Sequence, residues 1–579
     1  MVLGVPAGAY TVKVSYIGYQ PLSISNVRVS AGLTTTQDFK LSSSAIEVTA
    51  LEIVAERPLV QRNTTNTVRL TTQEDIQNLP VHGLQNIVAL NADVVQQNGN
   101  LYIRGGRVGE VAYYIDGANV TNPLFNTENI SVVQEAVEEL QLQSGGMTAE
   151  FGGANSGVVR TTLKTGGSSM KGTLDYRTDD FAKPGDQFLG TTSRGFRNVV
   201  ATLGGPLGSK LRYFITGQHN YFRNRIAAFI EPFNFSSLVD DGLEDGKNAG
   251  RPLPGAVQFK KNFLPNNQLY NNQGQLTLVY NMSNALKLRL TGSYQYQRFP
   301  QGYNTFNAAI ANMFSNRNNV IDVQNGLGGL KFTHLINPNT FYEVNVNYTA
   351  RYSRNYDPDF GDDWIKYSDS RELSALGYDT AEWQSLFQGP VNYSTIFNFQ
   401  FAPRNGPINT YAKDNQQSLG GSIDFTTQLS KNMELKFGGR ADYWTMRSYS
   451  VNDISNLLNF LYGVDGKTNR TFADDYTRRV EVGSRGNIFY MGYDVDGKNK
   501  VNSGPLGPRH PLFASTYAQS KWEYRDLVLN LGLRYERIDA KILQPLNPEL
   551  TAADYDAATF SSMKTMSAKP ARMIISCRA

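Results

Sequence analysis

From about residue 168 onward, apolar and polar side chains alternate one by one in long runs, the period of a strand with two unlike faces. The clearest run is 342–353, with Tyr342, Val344, Val346, Tyr348, Ala350 and Tyr352 on one face and Glu343, Asn345, Asn347, Thr349, Arg351 and Ser353 on the other. A second runs from Leu286 to Gln297, with Leu286, Leu288 and Leu290 opposite Lys287, Arg289 and Thr291. A third runs from Leu527 to Glu536, with Leu527, Leu529, Leu531, Leu533 and Tyr535 on one side. The second face carries charge, so it faces water and is no sandwich core. Strands of roughly 9–11 residues suffice to cross a bilayer at a tilt. Short turns at 208–210, 282–284, 337–339, 430–432 and 523–525 alternate with long polar stretches near 225–271, 300–326, 355–415 and 451–513. Short turns at one end and long loops at the other characterise an outer-membrane barrel. The pattern predicts about eleven strands, against about 22 in the largest plugged transporters.

The first third reads differently. Short alternating runs at 10–16, 27–29 and 38–41 predict a small β-sandwich over residues 1–44. Residues 45–64 read as a linker containing one extended run, Leu51, Glu52, Ile53, Val54 and Ala55. That run either ends the preceding sheet or adds as a strand to a partner's sheet edge. Residues 65–167 predict an α+β domain. Its helices begin after Thr72 and at Gly83, with a third over 133–140; its strands lie at 101–104, 111–115 and 158–164.

Composition narrows the class. Among 579 residues there are 32 Tyr, 30 Phe and 52 Gly, which suits a β-rich chain with aromatic girdles. A formal charge of +4, without a basic run, gives no footprint for nucleic acid. The mean hydropathy of −0.38 would suit a soluble protein, but alternating strands average out and hide a transmembrane barrel. No run is apolar and long enough for a transmembrane helix. The single cysteine, Cys577, excludes an intrachain disulfide and a cysteine-based metal site. The four histidines, His82, His219, His334 and His510, share no paired spacing, and no nucleophile elbow or zinc-protease motif is present. The expectation is no enzyme and no cofactor. The acidic stretches Asp494–Asn499 and Asp240–Asp245 lack the full oxygen spacing of a calcium loop and read as solvated charge.

Three stretches carry a resemblance. They are Leu101-Tyr102-Ile103-Arg104-Gly105-Gly106, Ala112-Tyr113-Tyr114-Ile115-Asp116-Gly117, and Phe151-Gly152-Gly153 through Gly157 to Lys164-Thr165-Gly166. Together they resemble the plug of TonB-dependent receptors, and with the strand pattern the resemblance covers residues 45 to about 565. Residues 6–19 resemble the second half of a carboxypeptidase regulatory-like domain, a module without peptidase chemistry. The resemblance implies a mainly β fold: a partial N-terminal β-sandwich (1–44), a linker (45–64), a plug (65–167) and a partial antiparallel barrel (168–567). Residues 568–579 break the alternation and read as an aberrant tail. With no signal peptide at the start, the chain reads as a fragment truncated at both ends.

The resemblance also assigns roles. Residues 51–55 take the place of the TonB box, the strand recruited by the inner-membrane energy transducer. Arg104, inside the plug pattern, demands a carboxylate partner if buried, with Glu343 or Glu536 on the inward face as candidates; otherwise it is solvated in a wet lumen. Loop aromatics Tyr303, Phe306, Trp364, Tyr367 and Trp383 either stack on a ligand or pack the loops together, the second being the default for each. The implied function is active import of a scarce ligand across the outer membrane, in contact with membrane lipid and the TonB complex, with the N-terminal module in the periplasm. The alternative is an outer-membrane surface-binding or structural protein without transport. The ligand is not named by the sequence.

Overall fold

The computed structural model describes residues 7–42, 65–223, 267–301, 317–389, 406–470 and 482–541, apart from a few positions within them. It also gives the backbone of short strands at 51–54, 233–234, 258–259 and 572–578. Ala55, Tyr303, Phe306 and the acidic stretch 240–245 lie outside the described residues.

The N-terminal unit is one three-stranded sheet, in the order β1 (Gly8–Val14), β2 (Leu22–Val29), β3 (Leu51–Val54). Its small core is Leu22, Ile24 and Val27 with Val12, Phe39 and Leu41 against them. This corrects the expected sandwich over 1–44. Among the described residues there is no second sheet in this unit, residues 38–41 pack without forming a strand, and the third strand comes from beyond residue 44.

The plug has a five-stranded sheet in which β4 (Thr67–Thr72), β9 (Val137–Gly145), β10 (Gly157–Leu163), β7 (Val111–Ile115) and β8 (Ala118–Asn119) lie side by side. A separate pair, β5 (Val94–Gln97) and β6 (Asn100–Ile103), sits beside it. Helix α1 (Gln73–Asn78) starts at Thr72 because the Thr72 hydroxyl and the Asp75 carboxylate cap each other's backbone. Helix α2 (Leu84–Val88) follows Gly83, as the sequence predicts. The third expected helix is a correction: only one 3-10 turn, Gln134–Ala136, precedes β9. Flanked by β4 and β10, β9 is buried on both faces, down to Glu139 and Gln141. A strand covered on both faces reads as a nearly continuous run, which periodicity does not separate from a helix.

The remainder is one large antiparallel sheet. Its path runs β11 (Lys171–Thr178), β12 (Phe196–Leu207), β13 (Leu211–Phe222), β14 (Leu269–Asn281), β15 (Leu286–Pro300), β16 (Val320–Asn337) and β17 (Thr340–Tyr356). It continues through β18 (Tyr411–Ser430), β19 (Met433–Val451), β20 (Leu512–Tyr524), β21 (Leu527–Asp539) and β22 (Arg572–Arg578). A short strand, Ile488–Met491, adds to the end of β19, giving 13 strands. The two end strands of the path, β11 and β22, do not pair with each other among the described residues. Within the tail expected at 568–579, the backbone of 572–578 pairs antiparallel with β21. Main-chain pairing does not require the side-chain alternation that the tail lacks.

The two faces of this sheet separate as the alternation demands. Leu529, Leu531, Leu533 and Tyr535 are 44–66% exposed on the outer side. Inward residues such as Thr291, Gln295, Asn347 and Thr349 are covered. Val200 of β12 and Leu327 of β16 are exceptions, joining the plug's apolar core beside Ile87, Ile103, Ile115 and Leu142. The plug is thus packed against the inner wall, each buried aliphatic side chain adding about 1.5–3 kcal/mol.

Candidate functional site: the plug and its seat in the wall

Each plug motif sits where a tight turn brings backbone or a short side chain against the wall. Asp116 closes β7 with a left-handed φ of 49°, followed by Gly117 at 92°. Its carboxylate accepts from Arg289 Nη2 at 2.7 Å, Arg289 Nε at 3.0 Å and Thr291 Oγ1 at 2.9 Å, all on β15. The other carboxylate oxygen accepts from Leu163 N, while Arg289 also donates to the Leu163 carbonyl at 2.7 Å. Asp116 therefore ties together the ends of β7 and β10 and the wall. A Cβ on Gly117 would lie 2.9 Å from Asn345 Nδ2, and the Gly117 carbonyl accepts from Arg440 of β19. Arg440 is oriented by Asp442 at 2.7 Å and lies over the Tyr114 ring.

The third motif makes the second attachment. Arg534 of β21 donates to the carbonyls of Ala149 and Glu150 at 3.0 and 2.9 Å and pairs with Glu536 at 2.7 Å. Ala149 N donates to Gln519 of β20. A Cβ on Gly152 would overlap Glu536 Oε1, so any larger residue here requires the Glu536 and Arg534 side chains to shift. Phe151 meets Tyr114 edge-on at 5.2 Å. Gly157 and Gly106 serve packing within the plug, since an added Cβ would meet Ile103 Cδ1 at 2.5 Å in the first case and overlap Ser156 Cβ in the second. Gly105 and Gly153 have left-handed φ of 72° and 69° in open turns. A third attachment, Asn122 Nδ2 to Gln416 Oε1 at 3.0 Å, lies toward the long-loop end of β18.

Of the two readings for Arg104, an ion pair with Glu343 or Glu536 is not seen among the described residues. Arg104 is exposed and donates to the Ser144 carbonyl at 3.1 Å, so burial does not impose a carboxylate partner. Glu343 accepts from Thr333 and lies near Lys331, while Glu536 serves Arg534. The sequence reading missed Arg289, Arg440 and Arg534 as plug ligands. Their only signal was a position on the polar face of an alternating strand.

The expected energiser-recruited run lies apart from this seat. Its described part, 51–54, is β3, paired in parallel with β2.

The long loops after β17 and β19 share a core that includes Trp364, Tyr367, Phe387, Tyr449 and Leu458 of α3 (Ile454–Tyr462). Trp364 and Tyr367 are buried there, and Trp383 is part-buried. The Asp494–Asn499 stretch is a closed hairpin turn. Asp494 accepts from Asn499, Tyr449 Oη donates to Val495 O, and Lys413 Nζ donates to Gly497 O. Hydrogen bonds to Asp494 hold its carboxyl below the usual range, while burial and Asp494 itself raise that of Asp496. Among the described residues no group of His, Cys, Asp or Glu could hold a metal ion.

A folded stopper tied by arginines to the water-facing side of a lipid-facing sheet defines a plugged outer-membrane barrel. Residues 60–159 match the TonB-dependent Receptor Plug Domain and residues 243–561, more than half the chain, match an Outer membrane beta barrel domain. The chain belongs to the TonB-dependent receptors, a non-enzymatic receptor class, and its place is the outer membrane. It is 21% identical over 317 residues to the TonB-dependent transporter Oar of Myxococcus xanthus, covering 50% of this chain and 29% of that protein. Among solved structures it is similar to the ferric enterobactin receptor of Pseudomonas aeruginosa, at 14% identity and TM-score 0.48, covering 82% of this chain and 57% of that one. The FrpB iron transporter of Neisseria meningitidis matches at 12% identity and TM-score 0.49, covering 83% and 60%. The chain spans less than two thirds of the length of each of these relatives.

Proposed function

We propose that this protein imports a scarce ligand across the outer membrane, driven by the TonB complex acting on residues 51–55. The observation that carries the reading is the plug's attachment. It is held by hydrogen bonds and ion pairs around Asp116 and Ala149, which water can replace once the plug moves, on a wall whose inward face is polar. A stopper fixed mainly by removable polar contacts, with Val200 and Leu327 as apolar ones, suits a path that opens and closes. No catalytic chemistry is assigned. In this reading the N-terminal module, whose residues 6–19 resemble the second half of a carboxypeptidase regulatory-like domain, lies in the periplasm.

The test is uptake by cells given a panel of radiolabelled ferric chelates, cobalamin, malto-oligosaccharides and oligopeptides. Accumulation of one of these is expected to vanish when a protonophore collapses the proton gradient and when residues 51–55 are deleted. Surface binding without accumulation, unchanged by either treatment, would instead establish the non-transporting binding protein.

A further inference from the structure

The N-terminal unit covers part of the plug sheet at the short-turn mouth of the wall. Its Ser30–Gly32 turn is closed by Leu33 N donating to Ser30 O. Both backbone groups of Ala31 are taken by the plug: the N–H donates to Glu139 Oε1 at 3.2 Å, and the carbonyl accepts from Gln141 Nε2 at 2.7 Å. Arg28 donates to the Glu138 carbonyl at 3.2 Å and pairs with its carboxylate at 3.5 Å. Tyr10 lies close enough to Arg212 to feel its charge. Arg212, at the start of β13 beside the short turn, donates to the Gly166 carbonyl of the plug.

Arg160 of β10 is the side chain that this turn confines. Its Nη1 donates to Gln141 Oε1 at 3.4 Å and would lie 3.1 Å from a Cβ on Gly32, whose φ of 70° is left-handed. The guanidinium lies over the Phe151 ring at 4.9 Å, Phe151 meets Tyr114 edge-on, and Tyr114 carries Arg440 of the wall at 5.4 Å. Phe151 is flanked by Glu150, whose carbonyl accepts from Arg534, and by Gly152 against Glu536. One stack of side chains thus runs from the N-terminal unit to both wall attachments. Cation–π and edge-on aromatic contacts depend on geometry, so moving one member weakens the next.

Arg160 has a second partner within reach. In the β9–β10 register Arg160 faces Gln141 and Thr162 faces Glu139, so Glu139 is a diagonal neighbour of Arg160 on the same face. Long side chains span that diagonal. Glu139 is fully buried; its Oε1 accepts from Ala31 N and Gln141 Nε2, and its Oε2 has no hydrogen-bond partner among the described residues. A covered carboxylate that loses a donor attracts the nearest cation more strongly.

We propose that the N-terminal unit is a clamp on the plug's attachment to the wall, worked through Arg160. With the turn seated, Ala31 and Gln141 occupy Glu139, and Arg160 stays on Phe151. With the turn lifted, Glu139 draws Arg160 away, the Phe151–Tyr114 pair loses its outer member, and the attachments at Arg534 and Arg440 loosen. The switch is one side chain with two discrete partners, the kind of element whose equilibrium two sites can both bias. It requires only the plug–wall contacts described above, so it stands whether the protein imports its ligand or only binds it.

Hydrogen exchange on the full chain in detergent tests the clamp. The Ala31 amide reports the seat, and the Ala149 and Phe151 amides, which donate to Gln519 and to the Thr148 carbonyl, report the attachment. Gly32→Val, which lies outside the plug, is expected to deprotect Ala31 and to speed exchange at Ala149 and Phe151 by roughly 5–150-fold, the usual span of coupling between two sites. Adding Glu139→Gln should return most of the protection at Ala149 and Phe151 while Ala31 stays deprotected, because a neutral amide does not compete for Arg160. Deprotection of Ala31 with unchanged exchange at Ala149 and Phe151 would overturn the clamp. Equally fast exchange in the single and double variants would overturn the switch through Arg160. A valine accepted at position 32 with Ala31 still protected would also sink the proposal, since the clamp depends on that close fit.

Discussion

Asp116 of the plug and Arg289 of the wall, 173 positions apart in sequence, face each other with Oδ2 and Nη2 2.7 Å apart and both side chains largely covered. Removing one partner of such a pair leaves the other charge buried and uncompensated, which costs about 3–5 kcal/mol. Arg289→Ala is therefore expected to raise hydrogen exchange at the ends of β7 and β10 strongly. Asp116→Asn combined with Arg289→Gln should be milder than either charge-removing change alone. A double-mutant cycle read by exchange protection checks this, and additive effects would contradict the pairing.

Gly152 and Glu536 make a steric prediction. A methyl group on Gly152 would occupy the space that Glu536 Oε1 already fills, so the Glu536 and Arg534 side chains must move to admit it. Gly152→Ala is expected to destabilise the plug seat by about 1–3 kcal/mol, the usual range for forced overpacking. Adding Glu536→Ala should recover part of the loss by opening space, measurable as a partial return of protease resistance at residues 149–153.

Glu128 links the plug to pH. Burial raises its carboxyl to about 7, partly offset by the hydrogen bond from Gln85. The folded state thus holds a proton that the unfolded chain has lost at any pH between the ordinary carboxyl value and 7. Stability of this region falls as pH rises through that window, then stays level above it, with a slope of at most about tenfold in the opening equilibrium per pH unit. Hydrogen exchange of the 121–128 hairpin, corrected for intrinsic rates, should show this trend in the unaltered chain and lose it in Glu128→Gln.

The two faces of β21 should respond oppositely to charge. Leu531 lies in the outward apolar row, whereas Asn530 belongs to the inward one. Leu531→Arg is expected to weaken membrane insertion by about 2–4 kcal/mol, the range for a basic residue near the bilayer midplane. Asn530→Arg should have little effect. Partition between vesicle-bound and urea-extracted protein distinguishes them; equal sensitivity at both sites would refute the assigned faces.

The sequence was sufficient wherever a local rule governs. The alternation of 286–297, 342–353 and 527–536 decided strand and facing together, because a period of two fixes which side every residue takes, while the strands themselves run on to Pro300, Tyr356 and Asp539. The start of a helix after Thr72 was also legible, since a cap depends on residues a few positions apart. Tertiary structure decided what rests on distant partners. Val133–Leu140 looked helical until two neighbouring strands made β9 an inner strand. Arg104 proved exposed, while Arg289, Arg440 and Arg534, indistinguishable in sequence from other inward polar residues, became the plug's anchors. Residues 51–54 could end a sheet or seek one; their pairing with β2 was set by backbone hydrogen bonds, which carry no sequence signature of their own.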